Sequence, residues 1–219
     1  MDFHRFLLIK EYNKIMGEKV KMRRMTLFSA IISLISFLYK AGLGIYAMSL
    51  VLIIASLSTL FVFICKIIFV KNLTAKREQK KKAYLGITIT AFLYSLVFVL
   101  FAVLKVNGID ISKQNNYQGW IELLFIGFLL VMFILSVINL RGALNKTDIM
   151  VIGLKEITFL SALTDLVIIE EYISRIILKY QEVPNMEQIN SLFVLGVSIT
   201  LLLVPVIMFI RFMKYDTKK

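Results

Sequence analysis

A long and almost uninterrupted apolar stretch, from Met25 to Val70, limits what this chain can fold into more than any other feature. Only two charged residues, Lys40 and Lys66, interrupt it. A single helix of that length would extend for roughly 69 Å, about twice the thickness of the hydrocarbon core of a bilayer. The stretch therefore predicts two membrane-spanning helices joined by a turn, which we place at Lys40–Gly44, where a charge and two glycines weaken the helix.

The composition of the chain indicates the same class of protein. Hydrophobic residues make up 59% of the 219 residues and charged residues only 18%, whereas soluble domains have roughly 45–50% and 25%. In lipid, each backbone polar group needs a hydrogen-bond partner within the protein, which favours helices. We therefore predict an all-α fold, a polytopic transmembrane helical bundle in a lipid bilayer.

Long apolar runs divide the chain into about six spans. Together these spans form a transmembrane domain over residues 25–210. We place the spans near residues 25–39, 45–70, 83–104, 120–140, 149–169 and 189–210. The loop from Lys66 to Lys82 carries seven basic residues, and six spans put this loop on the same side as the basic N-terminus and the basic tail, residues 211–219. Because cytoplasmic loops carry an excess of Lys and Arg, both termini are predicted to be cytoplasmic, an N-in, C-in topology.

The segment before the first span, residues 1–24, has apolar residues at helical spacing, with lysines largely on the other side. This pattern is typical of an amphipathic helix on the inner membrane surface. A solvated helix packed on the loops of the protein itself is an equally good interpretation. The segment lacks the layout of a cleavable signal peptide, so we expect the first span to be retained.

Several chemistries are disfavoured by the sequence. His4 is the only histidine and Cys65 the only cysteine, so the usual zinc sites cannot form within one chain. A cysteine–histidine dyad is disfavoured because His4 lies near the terminus and Cys65 lies inside an apolar run. Nucleotide-binding glycine loops and serine-hydrolase motifs are also missing. The net charge of +12 comes from basic blocks beside the spans, which does not favour nucleic acid as a partner. We expect no cofactor and no metal, and enzymatic activity is disfavoured.

The predicted fifth span stands out because it carries polar residues in mid-membrane. They are Lys155, Glu156, Thr158, Ser161 and Asp165. The last three share one helix face, and the whole set is a candidate polar path for an ion, a proton or a solute. The alternative is that the charged residues lie near the two interfaces and the hydroxyls join neighbouring helices. Asp165 has no basic residue within one turn of it, so its charge needs a partner from another helix or water, unless the carboxyl is protonated.

Two further features concern helix packing. Gly42, Gly44, Ser49 and Ser56 are small residues that allow helices to approach closely. Pro205, in the last span, leaves the carbonyl of the residue four positions earlier without its helical donor, which makes a kink or a hinge feasible there.

Two sequence stretches resemble an uncharacterised group of multipass membrane proteins from Gram-positive bacteria. They are Tyr39–Ile45 together with Ser49, and the stretch from Leu154 through Leu163. The resemblance implies a multipass protein of the bacterial plasma membrane. It implies no activity and no site residues.

Three classes of function are compatible with these observations. The first is a small transporter or channel-like protein that uses the polar face of the fifth span. The second is a non-catalytic accessory subunit, or an immunity-type protein, that binds another membrane component. An intramembrane enzyme is the weakest, because the usual catalytic groups are missing. Both a homo-oligomer and a complex with another membrane protein are compatible with the sequence.

Overall fold

A computed structural model of the chain describes residues 3–46, 49–108, 120–144, 148–180 and 184–217. Within these ranges the chain forms six α-helices and no strand. They are α1 (Phe3–Tyr46), α2 (Leu50–Asn72), α3 (Arg77–Val106), α4 (Trp120–Leu144), α5 (Ile149–Tyr180) and α6 (Met186–Thr217). The predicted all-α helical bundle is therefore confirmed.

The helical hairpin at the start of the chain turns later than predicted. α1 continues without a break from Phe3 to Tyr46, so the turn predicted at Lys40–Gly44 is wrong. The first two spans, predicted near residues 25–39 and 45–70, correspond to the apolar segments Val20–Tyr46 and Val51–Asn72. The Ser49 amide donates to the Gly44 carbonyl at 2.9 Å, and the Ser49 hydroxyl caps the first turn of α2. Residues 1–24 are consequently not a separate element, because α1 begins at Phe3 and includes the rest of this segment. Their location on the inner membrane surface stays a prediction.

Close packing explains why a glycine-containing stretch does not end α1. A Cβ atom on Gly44 would lie 2.9 Å from Cγ1 of Ile53 and 3.0 Å from its backbone nitrogen, so glycine allows the start of α2 to approach α1. A glycine inside a helix costs about 1 kcal/mol relative to alanine. The packing of α1 along α2 outweighs that cost, and Gly44 serves the helix contact instead of a turn.

Five of the six helices are long and apolar enough to cross a membrane. The segments that qualify are Val20–Tyr46, Val51–Asn72, Arg77–Val106, Ile126–Leu144 and Met186–Tyr215. α5 does not qualify, because charged residues such as Lys155, Glu156 and Asp165 are spread along it. By length and composition, the count of spans in the described ranges is therefore about five and not the predicted six. The N-in, C-in topology stays a prediction.

α5 nevertheless lies at the centre of the bundle. Helices α2, α3, α4 and α6 all pack against it. Within the described ranges, the backbone of α1 comes close only to α2, and the backbone of α4 comes close only to α5. These two helices are therefore outer arms, attached to a core of α2, α3, α5 and α6.

The outward surfaces of the helices are apolar. Each of the six helices exposes large hydrophobic side chains. Examples are Ile35, Leu100, Leu130 and Leu203. A soluble monomer rarely exposes apolar patches of more than a few hundred Å², whereas lipid acyl chains cover such a surface in a bilayer. The chain is therefore a membrane protein.

The proline of α6 does not interrupt the helix. α6 continues through Pro205, and the Leu201 carbonyl, which loses its helical donor there, accepts a hydrogen bond from the Ser95 hydroxyl of α3 at 3.0 Å. A neighbouring helix thus satisfies the freed carbonyl, as is usual for prolines in membrane helices. The contact ties α6 to α3 at the position that the sequence indicates as a kink or a hinge.

Candidate functional site

Polar side chains recur along one face of α1 at alternating steps of three and four residues. They are Thr26, Ser29, Ser33, Ser36 and Lys40. This spacing keeps them on one side of a helix. Thr26 and Ser33 are buried, and Lys40, at the end of the series, is only 2% exposed. The polar face of α1 is therefore turned into the protein.

The Lys40 ammonium forms an ion pair with Asp165 of α5. Its Nζ atom lies 2.5 Å from Oδ1 of Asp165 and donates a second hydrogen bond to the Thr59 hydroxyl of α2 at 3.1 Å. The Lys40 and Asp165 side chains are 2% and 9% exposed. Three helices thus meet at one pair of buried charges, and of the three alternatives that the sequence leaves open for Asp165, the structure shows a partner from another helix.

Next to the ion pair, hydroxyl groups connect α2 and α5. The Ser58 hydroxyl lies 3.2 Å from the Ser161 hydroxyl and 3.0 Å from the Thr164 hydroxyl. Thr158, one turn before Ser161, donates to the Leu154 carbonyl of its own helix at 2.8 Å. Ser161 therefore contributes to helix association, which is the structural role that the sequence leaves open for it.

A second buried lysine, Lys66 of α2, has no carboxylate partner among the described residues. It is 7% exposed. Its Nζ atom donates to the Ser29 carbonyl at 3.0 Å, to the Ser29 hydroxyl at 2.8 Å and to the Ser33 hydroxyl at 2.7 Å. All three acceptors belong to the polar face of α1 and all are neutral. The ammonium is fully hydrogen-bonded, and its charge is not balanced there.

These groups surround a cavity of about 60 Å³ in the cleft between α1 and α4. Its wall is formed by Ile32, Ser33, Ser36, Lys40, Thr59, Val62, Lys66, Phe128, Leu129, Met132, Ser136, Thr158, Ser161, Ala162 and Asp165. The predicted stripe of Thr158, Ser161 and Asp165 therefore lies on the wall of one cavity. This cavity, which we call the α1/α4 cavity, is the candidate site.

Glu156 belongs to a different environment. It lies nine residues before Asp165, which is two and a half helical turns, so the two carboxylates project from opposite faces of α5. The Glu156 carboxylate accepts a hydrogen bond from the Tyr84 hydroxyl at 3.0 Å and pairs with Arg211 of α6. Close packing surrounds it, since a Cβ atom on Gly153 would lie 2.7 Å from two atoms of the Tyr84 ring.

Lys155 is likewise not part of the cavity wall. It is half-buried and forms no hydrogen bond or ion pair within the described ranges, and it lies close enough to Lys66 for the two ammonium groups to repel each other. The structure therefore brings together three of the five predicted polar residues and places Glu156 and Lys155 outside the cavity.

Sequence reasoning missed the half of the site that α1 and α2 supply. Lys40 was assigned to a turn, and Lys66 was counted as a residue flanking a loop. The regular spacing of Ser29, Ser33, Ser36 and Lys40 was the available signal, because a polar stripe on an apolar helix predicts a face turned away from lipid.

Two other ion pairs join α3 to α5 or to the residue just before it, outside the cavity. Lys80 of α3 lies 2.5 Å from Asp148, which precedes α5, and Lys105 of α3 lies 2.7 Å from Glu171 of α5. The Lys80 and Asp148 side chains are 15% and 33% exposed. The Lys80–Asp148 pair has the same residue types and the same N···O distance as the Lys40–Asp165 pair, but it is more exposed. It is therefore a matched control.

Comparisons of this chain with protein-family models, with curated proteins and with solved structures find no match. The resemblance to a bacterial family stays an expectation. The function is therefore argued from the geometry of the α1/α4 cavity.

Proposed function

We propose that the protein is a small membrane transporter or channel whose solute path passes through the α1/α4 cavity. The observation that carries this proposal is the buried Lys40–Asp165 pair on the wall of a cavity that serine and threonine side chains also line. A charged residue at the centre of a span costs about 2.5–3.5 kcal/mol on insertion scales, and such residues usually mark solute or proton paths. A contribution to folding stability does not by itself explain why the chain has this ion pair, because well-packed apolar residues in its place are often equally stabilising.

The proposal requires α5 to extend across the membrane as an interior helix. Its start lies beside the start of α3 through Lys80–Asp148, and Glu171, farther along α5, lies beside the end of α3 through Lys105. α5 therefore runs parallel to a helix that is itself long and apolar enough to span. Reporter fusions after Asn145 and after Glu182 should accordingly report opposite sides of the membrane.

Flux through purified protein in proteoliposomes tests the proposed function. We expect the wild type to dissipate a gradient of at least one probe among potassium, sodium, chloride and nitrate. Asp165→Asn and Lys40→Met should lower that flux at least ten-fold, because each leaves one charge of the buried pair unpaired. Lys80→Met and Asp148→Asn change the matched pair outside the cavity and should keep the wild-type flux.

The outcome that contradicts the proposal is the absence of flux of every probe through wild-type protein that is inserted and folded. Equal losses in the cavity variants and in the control variants would also contradict it, because they would show that the charge changes act on folding and not on a path.

One observation favours a second function. The backbones of α1 and α4 each approach a single helix of the described bundle, so the cleft between them is open at the side. A helix of another membrane protein could lie there and make this chain an accessory or immunity-type subunit. Copurification of a stoichiometric membrane partner, lost in a Ser36→Leu variant that narrows the cleft, would support this function over transport.

We also propose the bacterial plasma membrane as the location, in line with the resemblance of Tyr39–Ile45 and Leu154–Leu163 to the Gram-positive group.

A further inference from the structure

The α1/α4 cavity carries more positive than negative charge. Three of its lining residues are ionisable: Lys40, Lys66 and Asp165. Lys40 and Asp165 form a pair at 2.5 Å and cancel each other, so Lys66 leaves one positive charge on the cavity wall. Lys155, which lies close to Lys66, adds to the positive potential.

The hydrogen bonds of Lys66 do not balance its charge. A lysine ammonium has three donors, and all three are directed to neutral oxygens of Ser29 and Ser33. Burying an ion without an opposite charge is expensive, because the lost hydration is not replaced by an equally strong attraction. A negatively charged ligand in the cavity would supply that attraction.

Ser36 offers a further hydrogen-bond donor to such a ligand. It lies on the polar face of α1 between Ser33, which contacts Lys66, and Lys40. Its hydroxyl lines the cavity and makes no hydrogen bond within the part of the chain that the structure describes. A free hydroxyl between two ammonium groups is suited to an anion, since the hydroxyl can donate a hydrogen bond and the charge of the ammonium groups attracts the anion.

The volume of the cavity limits the size of the ligand. A volume of about 60 Å³ holds a few water molecules, at about 10–15 Å³ for each in this measure. Pockets for metabolites are about 300–1,000 Å³. Only a small ion fits without a rearrangement of the helices.

We infer that the α1/α4 cavity binds a small monovalent anion, of the size of chloride or nitrate, between Lys66 and Lys40. A cation is disfavoured, because it would meet two ammonium groups and a carboxylate that Lys40 already occupies at 2.5 Å. This inference rests on the proposed function and names the class of solute that the path would carry.

Thermal unfolding of the purified full chain in detergent tests the binding directly. The probes are sodium chloride and sodium nitrate, compared with sodium gluconate at the same ionic strength, since gluconate is too large for the cavity. We expect chloride and nitrate to raise the Tm, because a ligand that binds only the folded state stabilises it. In Lys66→Met the apparent Kd for chloride should be at least ten-fold weaker.

Matched variants separate the site from general charge effects. Lys71→Met removes an exposed lysine of the same helix and should leave the apparent Kd unchanged. Lys66→Arg keeps the charge and should keep most of the binding. If Lys66→Met does not fold, Ser36→Ala replaces it, and we expect this variant to weaken chloride binding about three-fold without loss of folding.

Each outcome of the binding and flux measurements decides a separate point. Equal Tm values in chloride, nitrate and gluconate would overturn the inference, and so would an equal loss of binding in Lys71→Met. Flux that is selective for cations and unchanged in Lys66→Met would overturn the anion site but leave the proposed transport intact. Specific stabilisation by chloride without any flux would support the anion site and contradict transport.

Discussion

The two faces of α5 both bury a carboxylate, but in different surroundings. Glu156 and Asp165 are 4% and 7% exposed, and each is paired with a cation from another helix. Around Glu156, the Tyr84 ring packs so closely on Gly153 that a Cβ atom would not fit there. Around Asp165, hydroxyl groups and a second lysine surround open volume.

This difference shows that a buried charge in a membrane helix does not by itself identify a site. The Glu156 face has the properties of a structural joint, because the carboxylate, the tyrosine and Arg211 satisfy one another. The Asp165 face has room for a ligand and an unbalanced charge beside it. We expect substitutions on the cavity face to change transport, and substitutions on the packed face to change stability alone.

The largest effect should come from separating the cavity pair. Removing one partner of a buried ion pair leaves an uncompensated charge and costs about 3–5 kcal/mol. We expect losses of this size in the free energy of unfolding for Lys40→Met alone and for Asp165→Leu alone. The double variant should recover most of the loss and still lack flux, since stability is restored without the charges. Unfolding in mixed micelles measures the first quantity and proteoliposome flux the second.

Additive losses in that double variant would contradict the comparison. They would show that Lys40 and Asp165 stabilise the bundle through contacts other than their mutual attraction.

A smaller effect is expected on the packed face. Gly153→Ala places a methyl group against the Tyr84 ring, and overpacking of this kind costs about 1–3 kcal/mol. Gly196→Ala is the control, because nothing lies within 4 Å of the Cβ position of this α6 glycine. The control should be neutral or slightly stabilising, since alanine is the better helix former. Unfolding in mixed micelles measures both.

Flux of the Gly153→Ala protein sharpens the same comparison. It should equal the wild-type value per folded molecule. A loss of flux as large as that of Asp165→Asn would mean that the packed face also belongs to the solute path.

The smallest effect is expected for the matched pair outside the cavity. Lys80 and Asp148 lie as close as Lys40 and Asp165, but their side chains are more exposed. Partly exposed pairs contribute about 0–1 kcal/mol. We expect Lys80→Met to change the free energy of unfolding by no more than that, and the change to shrink as salt is added. A loss of several kcal/mol would show that burial does not distinguish the two pairs.

Part of the candidate site could be predicted from the sequence. Thr158, Ser161 and Asp165 were placed on one face of a helix because helical geometry sets the spacing of side chains that share a face. The cost of an unpaired carboxylate in lipid also predicted that a partner from another helix, water or protonation stabilises Asp165. Lys40 was not recognised as that partner, because the stretch Lys40–Gly44 was interpreted as a turn from its glycines and its charge.

The sequence alone determined the class of this protein. The apolar composition, the long hydrophobic stretches and the need for internal backbone hydrogen bonds in lipid allow hardly any fold other than a helical membrane bundle. These are local and additive properties, so they can be summed along the chain without knowledge of the neighbours.

The tertiary structure decided where the chain turns, which helix lies inside, and which charges meet. The end of α1 depends on its contact with Ile53 through Gly44, and the polar α5 is tolerated because four helices cover it. The pairing of Lys40 with Asp165 joins residues 125 positions apart. These three features depend on how side chains from distant segments pack together. The spacing of residues within one helix carries no information about that packing.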